Sequence, residues 1–128
     1  MNMKKPDLYK QTASFLAVLG NPVRVKIISA IGSDEVCVCH LEAVLKKRQA
    51  YISQHLMALR DQGILETRRE GKYIFYRLSN LQVLDFVKNA GLLAGVKEED
   101  IQELQHPTHV ENCICPHCTG ELKEKERG

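Results

Sequence analysis

The chain has 128 residues, of which 44% are apolar, and its 18 basic and 16 acidic side chains leave a formal net charge of +2. This length suits one domain with a short extension, and this apolar content argues against two separate cores. No apolar run approaches the roughly 18 residues that a membrane span needs, so we expect a cytoplasmic protein with no membrane partner.

The first half of the chain has the apolar spacing of four successive helices. Apolar residues recur three or four positions apart, and turn-forming residues at 20–22 and 32–34 interrupt the pattern. In the fourth helix, Ile52, Leu56 and Leu59 form one apolar stripe. The predicted helices cover residues 8–19, 23–31, 36–47 and 49–62.

After the fourth helix the pattern changes from helical to extended. Two runs rich in β-branched and aromatic residues, 64–69 and 73–78, flank a glycine-bearing turn, which predicts a β-hairpin. Residues 81–93 return to helical spacing and are apolar on more than one face, so we expect a second subunit to cover the extra face. A further short helix is predicted over residues 97–105.

This order of elements predicts a winged helix-turn-helix, a mainly α fold with a β-hairpin wing (α+β), in a homodimer. We expect residues 1–95 to form the DNA-binding and dimerisation domain, and residues 96–128 to form a C-terminal extension with a cysteine-rich tail. The charge distribution agrees with this division. Eight basic and three acidic residues between Lys46 and Arg77 give +5, whereas four basic and eight acidic residues from Lys97 onward give −4.

The fourth helix and the wing carry the side chains predicted to contact double-stranded DNA. The second helix of such a pair enters the major groove, where Gln and Ser contact base edges, and basic wing residues suit phosphates or the minor groove. Taken singly, each residue is typical of any exposed surface, but a +5 segment that coincides with this fold favours DNA binding. His55 lies at the edge of the apolar stripe and is expected to be packed and hydrogen-bonded. The predicted DNA contacts are Gln49, Tyr51, Ser53, Gln54, Arg68, Arg69 and Lys72.

The five cysteines form two groups, and an odd number favours reduced thiols over a secreted disulfide framework. Cys37 and Cys39 lie at the predicted start of the third helix. Two positions apart within a helix, they would point about 200° apart, but at the first turn their sulfurs can converge. A helix N-terminus also favours the thiolate. The alternative is a pair of small buried apolar residues.

The second group lies in the polar tail, where burial cannot explain cysteines. Three cysteines within six residues, around Pro116, are typical of a metal-binding loop. With the first group they predict one composite site for a thiophilic ion: arsenite, cadmium, lead, zinc or copper(I). There are two alternatives to a composite site. One is a zinc site that only orders the tail, and the other is opportunistic metal binding by a disordered end. The tail cysteines are Cys113, Cys115 and Cys118, and the nearby candidate ligands are His106, His109 and His117.

Other chemistries remain open for the same thiols. Cys37 or Cys39 can pair with a tail cysteine as a reversible disulfide, or can form a persulfide, which would make a redox sensor of the same fold. A DNA-binding regulator stabilised by zinc in its tail is a further interpretation. Residues 115–118 have the spacing of a thiol oxidoreductase motif, but that motif needs a βαβ setting, so we expect no enzyme activity.

Motifs between Phe15 and about Leu93 resemble the ArsR/SmtB family of metal-responsive repressors. The resemblance implies a homodimer that represses a resistance or efflux operon and releases an inverted-repeat operator when its ligand binds. It also implies that Cys37 and Cys39 are metal ligands. The motifs are Asn21-Pro22-Val23-Arg24, the segment Glu35-Val36-Cys37-Val38-Cys39-His40-Leu41 (similar to the family's ELCVCDL), Ser53-Gln54-His55-Leu56, and Arg68-Arg69-Glu70-Gly71-Lys72 in the wing.

The sequence departs from the family's patterns at three positions. Glu42 stands where arsenite sensors with three cysteines at this helix carry the third, so a third sulfur would come from the tail cysteines, of the same chain or of its partner. Asp85 is followed two positions later by Val87 rather than His, which argues against the family's fifth-helix zinc site. His40 replaces the usual Asp and leaves the identity of the metal open.

Overall fold

A computed structural model describes residues 7–102 of the chain, so the tail cysteines and the three candidate tail histidines lie outside the described residues. The described part is mainly helical, with one three-stranded antiparallel sheet. Its elements are α1 (Leu8–Leu19), α2 (Pro22–Ile31), β1 (Glu35–Cys37), α3 (Val38–Leu45), α4 (Gln49–Asp61), β2 (Leu65–Glu70), β3 (Tyr73–Leu78), α5 (Gln82–Leu93) and α6 (Glu98–Gln102).

Local sequence accounts for most of the helix boundaries. Asp7 accepts hydrogen bonds from two backbone N–H groups in the first turn of α1, and Asn21 does the same for α2, whose first residue is Pro22. After α4, Gly63 takes a φ of +81°, a left-handed conformation that favours glycine and turns the chain toward β2. The predicted helices and hairpin are confirmed to within a few residues, apart from the start of the third helix, and residues 103–105 of the last predicted helix lie outside the described residues.

The start of the third helix differs from the prediction. The sequence predicts one helix over residues 36–47, but Glu35–Cys37 is a strand that pairs antiparallel with β3, and α3 begins only at Val38. The strand satisfies backbone groups along an edge of β3 that a plain hairpin would leave open. The wing is consequently part of a sheet with the order β1-β3-β2.

One hydrophobic core lies between α2, α3, α4 and one face of this sheet. Side chains alternate along each strand, so Val36, Leu65 and Leu78 belong to the core, whereas Cys37 and Phe75 lie on the opposite face of the sheet. The largest buried side chains of the core, each at most 2% exposed, are Ile27, Ile28, Ile31, Leu41, Ile52, Leu56 and Leu59.

Helices α1 and α5 leave much of their apolar surface uncovered. Only Val83 of α5 is buried, and Phe15 of α1 meets Phe86 of α5 edge-to-face with ring centres 5.9 Å apart. Ile101 of α6 is 5% exposed and lies close to Gly91 of α5. The exposed large apolar side chains of α1 and α5 are Leu8, Tyr9, Leu16, Phe86, Leu92 and Leu93.

Within residues 7–102, no single helix is long and apolar enough to cross a membrane. Only α1 and α2 taken together reach that length and composition, and they meet at a bend of 82°.

Candidate nucleic-acid interface and its cysteine pair

The exposed face of α4 carries the helix residues predicted to read DNA. Ile52, Leu56 and Leu59 are at most 1% exposed, which confirms the apolar stripe. The opposite face of the helix is turned outward: Gln49, Tyr51 and Gln54 are exposed, and Ser53 is half-buried. These four side chains therefore lie in the first two turns of α4. In a recognition helix, the N-terminal turns are the part that meets base edges.

The link between α3 and α4 is short, basic and exposed. Lys46 ends α3 in a left-handed conformation with a φ of 55°, and Lys47 and Arg48 follow on the surface. The Lys47 ammonium lies 5.8 Å from the centre of the Tyr51 ring, so a positive charge sits beside the first turn of α4. An exposed cationic link at this position suits contact with a phosphate.

His55 joins α4 to the helices that precede it. The Nε of Arg24 donates a hydrogen bond to His55 Nδ1 at 3.1 Å, and Nη1 of the same guanidinium donates to the carbonyl of Val18 at 3.1 Å. Burial, and to a lesser extent the Arg24 charge, lower the pKa of His55 from its usual 6.5. The neutral ring can then accept from Arg24, so the expectation of a packed, hydrogen-bonded histidine is confirmed.

The three predicted wing contacts differ in their surroundings. Arg69 and Lys72 are exposed, and Lys72 lies at the turn with its ammonium 5.4 Å from the centre of the Tyr73 ring. At that turn Gly71 takes a φ of +61°, which allows the tight reversal. Both cationic side chains are therefore accessible to a nucleic-acid backbone.

Arg68, by contrast, is already engaged by two carboxylates. Its Nε donates to Glu35 at 3.1 Å, its Nη2 donates to the other oxygen of the same carboxylate, and its Nη1 donates to Glu70 at 2.8 Å. The guanidinium carbon lies 4.8 Å from the centre of the Phe75 ring. The hydrogen bonds that Arg68 donates to Glu35, and then to Glu70, raise the pKa of Arg68. No signal in the sequence distinguishes Arg68 from its neighbour Arg69.

The structure brings Cys37 and Cys39 together at the junction of β1 and α3. Cys37 is the last residue of β1 and the N-cap of α3, and its Sγ accepts a hydrogen bond from the His40 N–H at 3.3 Å. The two sulfurs are bonded to each other as a disulfide, and their Cα atoms are 5.4 Å apart. The predicted convergence at the first helical turn is thus observed. The bond differs from the expectation of reduced thiols, and also from the alternative of a disulfide with a tail cysteine.

The pair supplies two sulfurs and no complete metal site. Among residues 7–102, no group of three or more His, Cys, Asp or Glu side chains is placed to hold an ion. A thiolate site for arsenite needs three sulfurs, and one for a divalent ion commonly needs four. Once its disulfide is reduced, the cysteine pair would supply two of these sulfurs, and the described residues of this one chain complete neither site.

The cysteine pair opens onto the same cleft as the DNA-facing residues. This cleft, of about 210 Å³, lies between the start of α3, the start of α4 and the wing. Two predicted DNA contacts, Gln49 and Lys72, line it together with both cysteines. Glu42, one helical turn after the cysteine pair, also lines it. A change at the cysteines thus occurs beside both elements that are expected to touch DNA.

Comparison with known proteins gives a consistent set of relatives. Residues 21–67 match the family model described as bacterial regulatory protein, arsR family. The chain is 44% identical over 91 residues to a biofilm growth-associated repressor of Agrobacterium fabrum. The matched region covers 71% of this chain and 78% of that protein. The chain is also 34% identical over 97 residues to a homolog of the cadmium resistance transcriptional regulatory protein CadC of Staphylococcus aureus, covering 72% and 80% respectively.

A solved structure supports the fold independently. The solution structure of a homodimeric winged helix-turn-helix DNA-binding domain from Mycobacterium bovis superposes with a TM-score of 0.64, at 24% identity, and covers 85% of this chain and 99% of that one. The predicted winged helix-turn-helix fold is confirmed. The named relatives are transcriptional regulators and not enzymes, which agrees with the expectation of no catalytic activity.

Proposed function

The chain belongs to the ArsR family of bacterial transcriptional repressors, and from this premise we propose that Cys37 and Cys39 control how tightly it holds its operator. The observation that carries the proposal is the shared cleft, where both cysteines lie beside Gln49 at the start of α4 and Lys72 in the wing. A ligand or a bond formed at the cysteines would act directly on the two elements that meet DNA.

For DNA binding, we propose that α4 enters the major groove and that the wing contacts the flanking backbone. Tyr51, Ser53 and Gln54 would contact base edges or adjacent sugars, because they follow Gln49 on the outward side of α4. Arg69 and Lys72 would neutralise phosphates, which makes affinity dependent on salt.

We further propose that the protein acts as a homodimer through α1 and α5. These helices expose Leu16, Phe86 and Leu93 on surfaces that the single chain does not cover. A second copy would bury them, and two-fold symmetry would place the two α4 helices about 34 Å apart, one turn of DNA. An inverted-repeat operator would match that arrangement.

The first candidate effector is a thiophilic ion, with arsenite, cadmium or lead favoured and zinc as a further candidate. Cys37 and Cys39 would provide two sulfurs, and Cys113, Cys115 and Cys118 of the same chain or its partner would complete three or four. When bound, the ion would link the tail to the cleft through its sulfur ligands. That link would favour a dimer whose α4 helices no longer match successive major grooves. Such coupling is reciprocal, so operator DNA must also weaken metal binding.

The second candidate effector is an oxidant, and the observation that favours it is the bond between the two sulfurs. One thiol loses its proton and attacks a peroxide as the thiolate, which gives a sulfenic acid and a hydroxide that takes up the released proton as water. The second thiol then displaces water from the sulfenic acid to form the Cys37–Cys39 disulfide. Two thiols and one peroxide thus yield one disulfide and two waters. This pair needs no tail cysteine, unlike the pairing expected from sequence.

The test uses the full chain, reduced, with an operator selected from a random duplex library. Operator binding is titrated with arsenite, cadmium, lead, zinc, copper(I) and hydrogen peroxide in turn, while sulfur-to-metal absorption is recorded. Metal sensing predicts release by one or more ions in the wild type and no release when all three tail cysteines are changed to Ser. Peroxide sensing predicts release that survives the same tail substitution. Release by an effector in the Cys37→Ser/Cys39→Ser variant would contradict control by the cysteine pair.

A further inference from the structure

We infer that Arg68 is a positioning residue that links the Cys37–Cys39 pair to the wing. Its bond to Glu35 on β1, beside a second bond to Glu70 on its own strand, forms a clasp across the sheet. The inference rests on the proposed function only in taking the cysteine pair as the element that responds to an effector. It assigns to Arg68 a role other than the DNA contact that its sequence suggests.

The first observation is a row of side chains across the three strands. Cys37 of β1 pairs with Phe75 of β3, and Phe75 pairs in turn with Arg68 of β2. Directly paired residues point to the same face of a sheet, so the three side chains are neighbours on the face opposite the core. A change in the side chain of Cys37 therefore reaches Arg68 through a single residue.

The second observation is that Phe75 is fully buried on a face that the core does not cover. It is 1% exposed, although it lies on the opposite side of the sheet from Val36 and Leu78. The Arg68 guanidinium lies over its ring at 4.8 Å. A guanidinium stacked on an aromatic face is attracted to it and also shields it from water. Arg68 thus covers the residue that separates it from Cys37.

The third observation is that the clasp joins two strands that are not hydrogen-bonded to each other. In the order β1-β3-β2, the outer strands meet only through β3. Arg68 bridges them with a two-pronged bond to Glu35, which lies two residues before Cys37 on the same face of β1. The two parallel N–H···O bonds fix orientation as well as distance. Cys37 is both the last residue of β1 and the N-cap of α3, so a shift at the cysteine pair would be passed along β1 to Glu35.

The adjacent arginine provides an internal contrast. Arg69 points to the other face of β2, is exposed, and makes no ion pair among the described residues. Its charge remains available for phosphate, whereas the charge of Arg68 is offset by two carboxylates. We therefore expect Arg69 to affect the affinity for DNA, and Arg68 to affect how that affinity changes with the state of the cysteine pair.

The test compares Arg68→Lys and Glu35→Gln with the matched control Arg69→Lys. Arg68→Lys keeps the charge but loses the two-pronged bond, and Glu35→Gln keeps the shape of the acceptor but removes its charge. The readout is the ratio of operator affinities with the cysteine pair reduced and oxidised by peroxide, together with thermal unfolding to verify folding. Allosteric coupling of ordinary size gives a wild-type ratio of about 5 to 150. We expect the two clasp variants to bring this ratio near one, and Arg69→Lys to leave it unchanged.

A second measurement works without DNA. The NMR signal of the Arg68 Nε–H and the hydrogen exchange of the β2–β3 amides are recorded in the wild-type chain before and after oxidation of the pair. The clasp predicts a shift of the Nε–H signal and altered exchange in the wing. If the wing responds to oxidation but operator affinity does not, control of the operator by oxidation of the pair fails and the clasp stands. Unchanged wing signals in the wild type, or a full affinity ratio in Glu35→Gln, would overturn the clasp.

Discussion

The hydrogen bond between Arg24 and His55 predicts a specific dependence of stability on pH. Burial and the Arg24 charge lower the pKa of His55 below its usual 6.5 in the folded protein. The unfolded chain therefore binds the proton more readily. In the folded protein, the neutral His55 ring makes its full contribution to the free energy of unfolding above about pH 6.5. This contribution is lost as the pH falls through the lowered pKa.

The size of the effect follows from the geometry of this contact. The Arg24 Nε to His55 Nδ1 distance is 3.1 Å in a partly buried site. A hydrogen bond of this kind contributes about 0.5–1.5 kcal/mol net, and protonation removes the acceptor. His55→Ala at pH 7.5 should therefore lower stability by about 1 kcal/mol, which corresponds to a fall in Tm of about 4–8 °C for a domain of this size. His55→Gln keeps an acceptor for Arg24 and should lose less.

Urea unfolding of the wild type and of both variants at pH 7.5, 6.0 and 5.0 measures this contribution. All other ionisable groups are common to the wild type and the variants, so the difference between wild type and His55→Gln isolates His55. We expect the wild type to lose stability relative to His55→Gln as the pH falls. Parallel pH profiles for the two proteins would refute the assignment of a neutral, accepting His55.

Three further substitutions test the core, the interface with DNA and the dimer. Leu56→Ala removes a side chain that is 1% exposed, so it should cost about 2–5 kcal/mol in the free energy of unfolding by urea. Lys72→Ala should weaken operator binding similarly for all sequences and make the slope of log affinity against log salt shallower by about 0.9 for each phosphate that Lys72 neutralises, whereas an unchanged slope would remove Lys72 from the DNA interface. Phe86→Glu places a charge on the exposed face of α5 and should shift the chain from dimer to monomer in sedimentation equilibrium. A stable dimer of this variant would place the interface elsewhere.

The helices and the hairpin could be predicted because their signals are local. Apolar spacing, the Asn21 cap and the glycine after α4 act within a few residues, and each is visible in the sequence. Strand β1 could not be predicted, because Val36 and Cys37 form too short an apolar run to separate strand from helix. Their conformation is decided by pairing with Tyr76 and Phe75, some forty positions later in the chain.

The candidate site could be predicted in part for the same reason. Convergence of Cys37 and Cys39 follows from the geometry of a first helical turn, which the sequence reveals once the helix is placed. The difference between Arg68 and Arg69 depends on strand alternation and on register with Glu35 and Phe75, which no local pattern encodes. The contribution of the tail cysteines stays a prediction.

The most direct test of control by the cysteine pair is the operator affinity of the reduced full chain with and without saturating effector, in the wild type and in Cys37→Ser/Cys39→Ser. Salt is held constant, because electrostatic affinity depends on it. Arsenite, cadmium and hydrogen peroxide are used separately. We predict that at least one of them lowers wild-type affinity at least about fivefold, the lower end of typical allosteric coupling, and that none changes the affinity of the double variant. Equal affinity of the wild type with and without every effector, or an equal loss in the double variant, would contradict control by the cysteine pair.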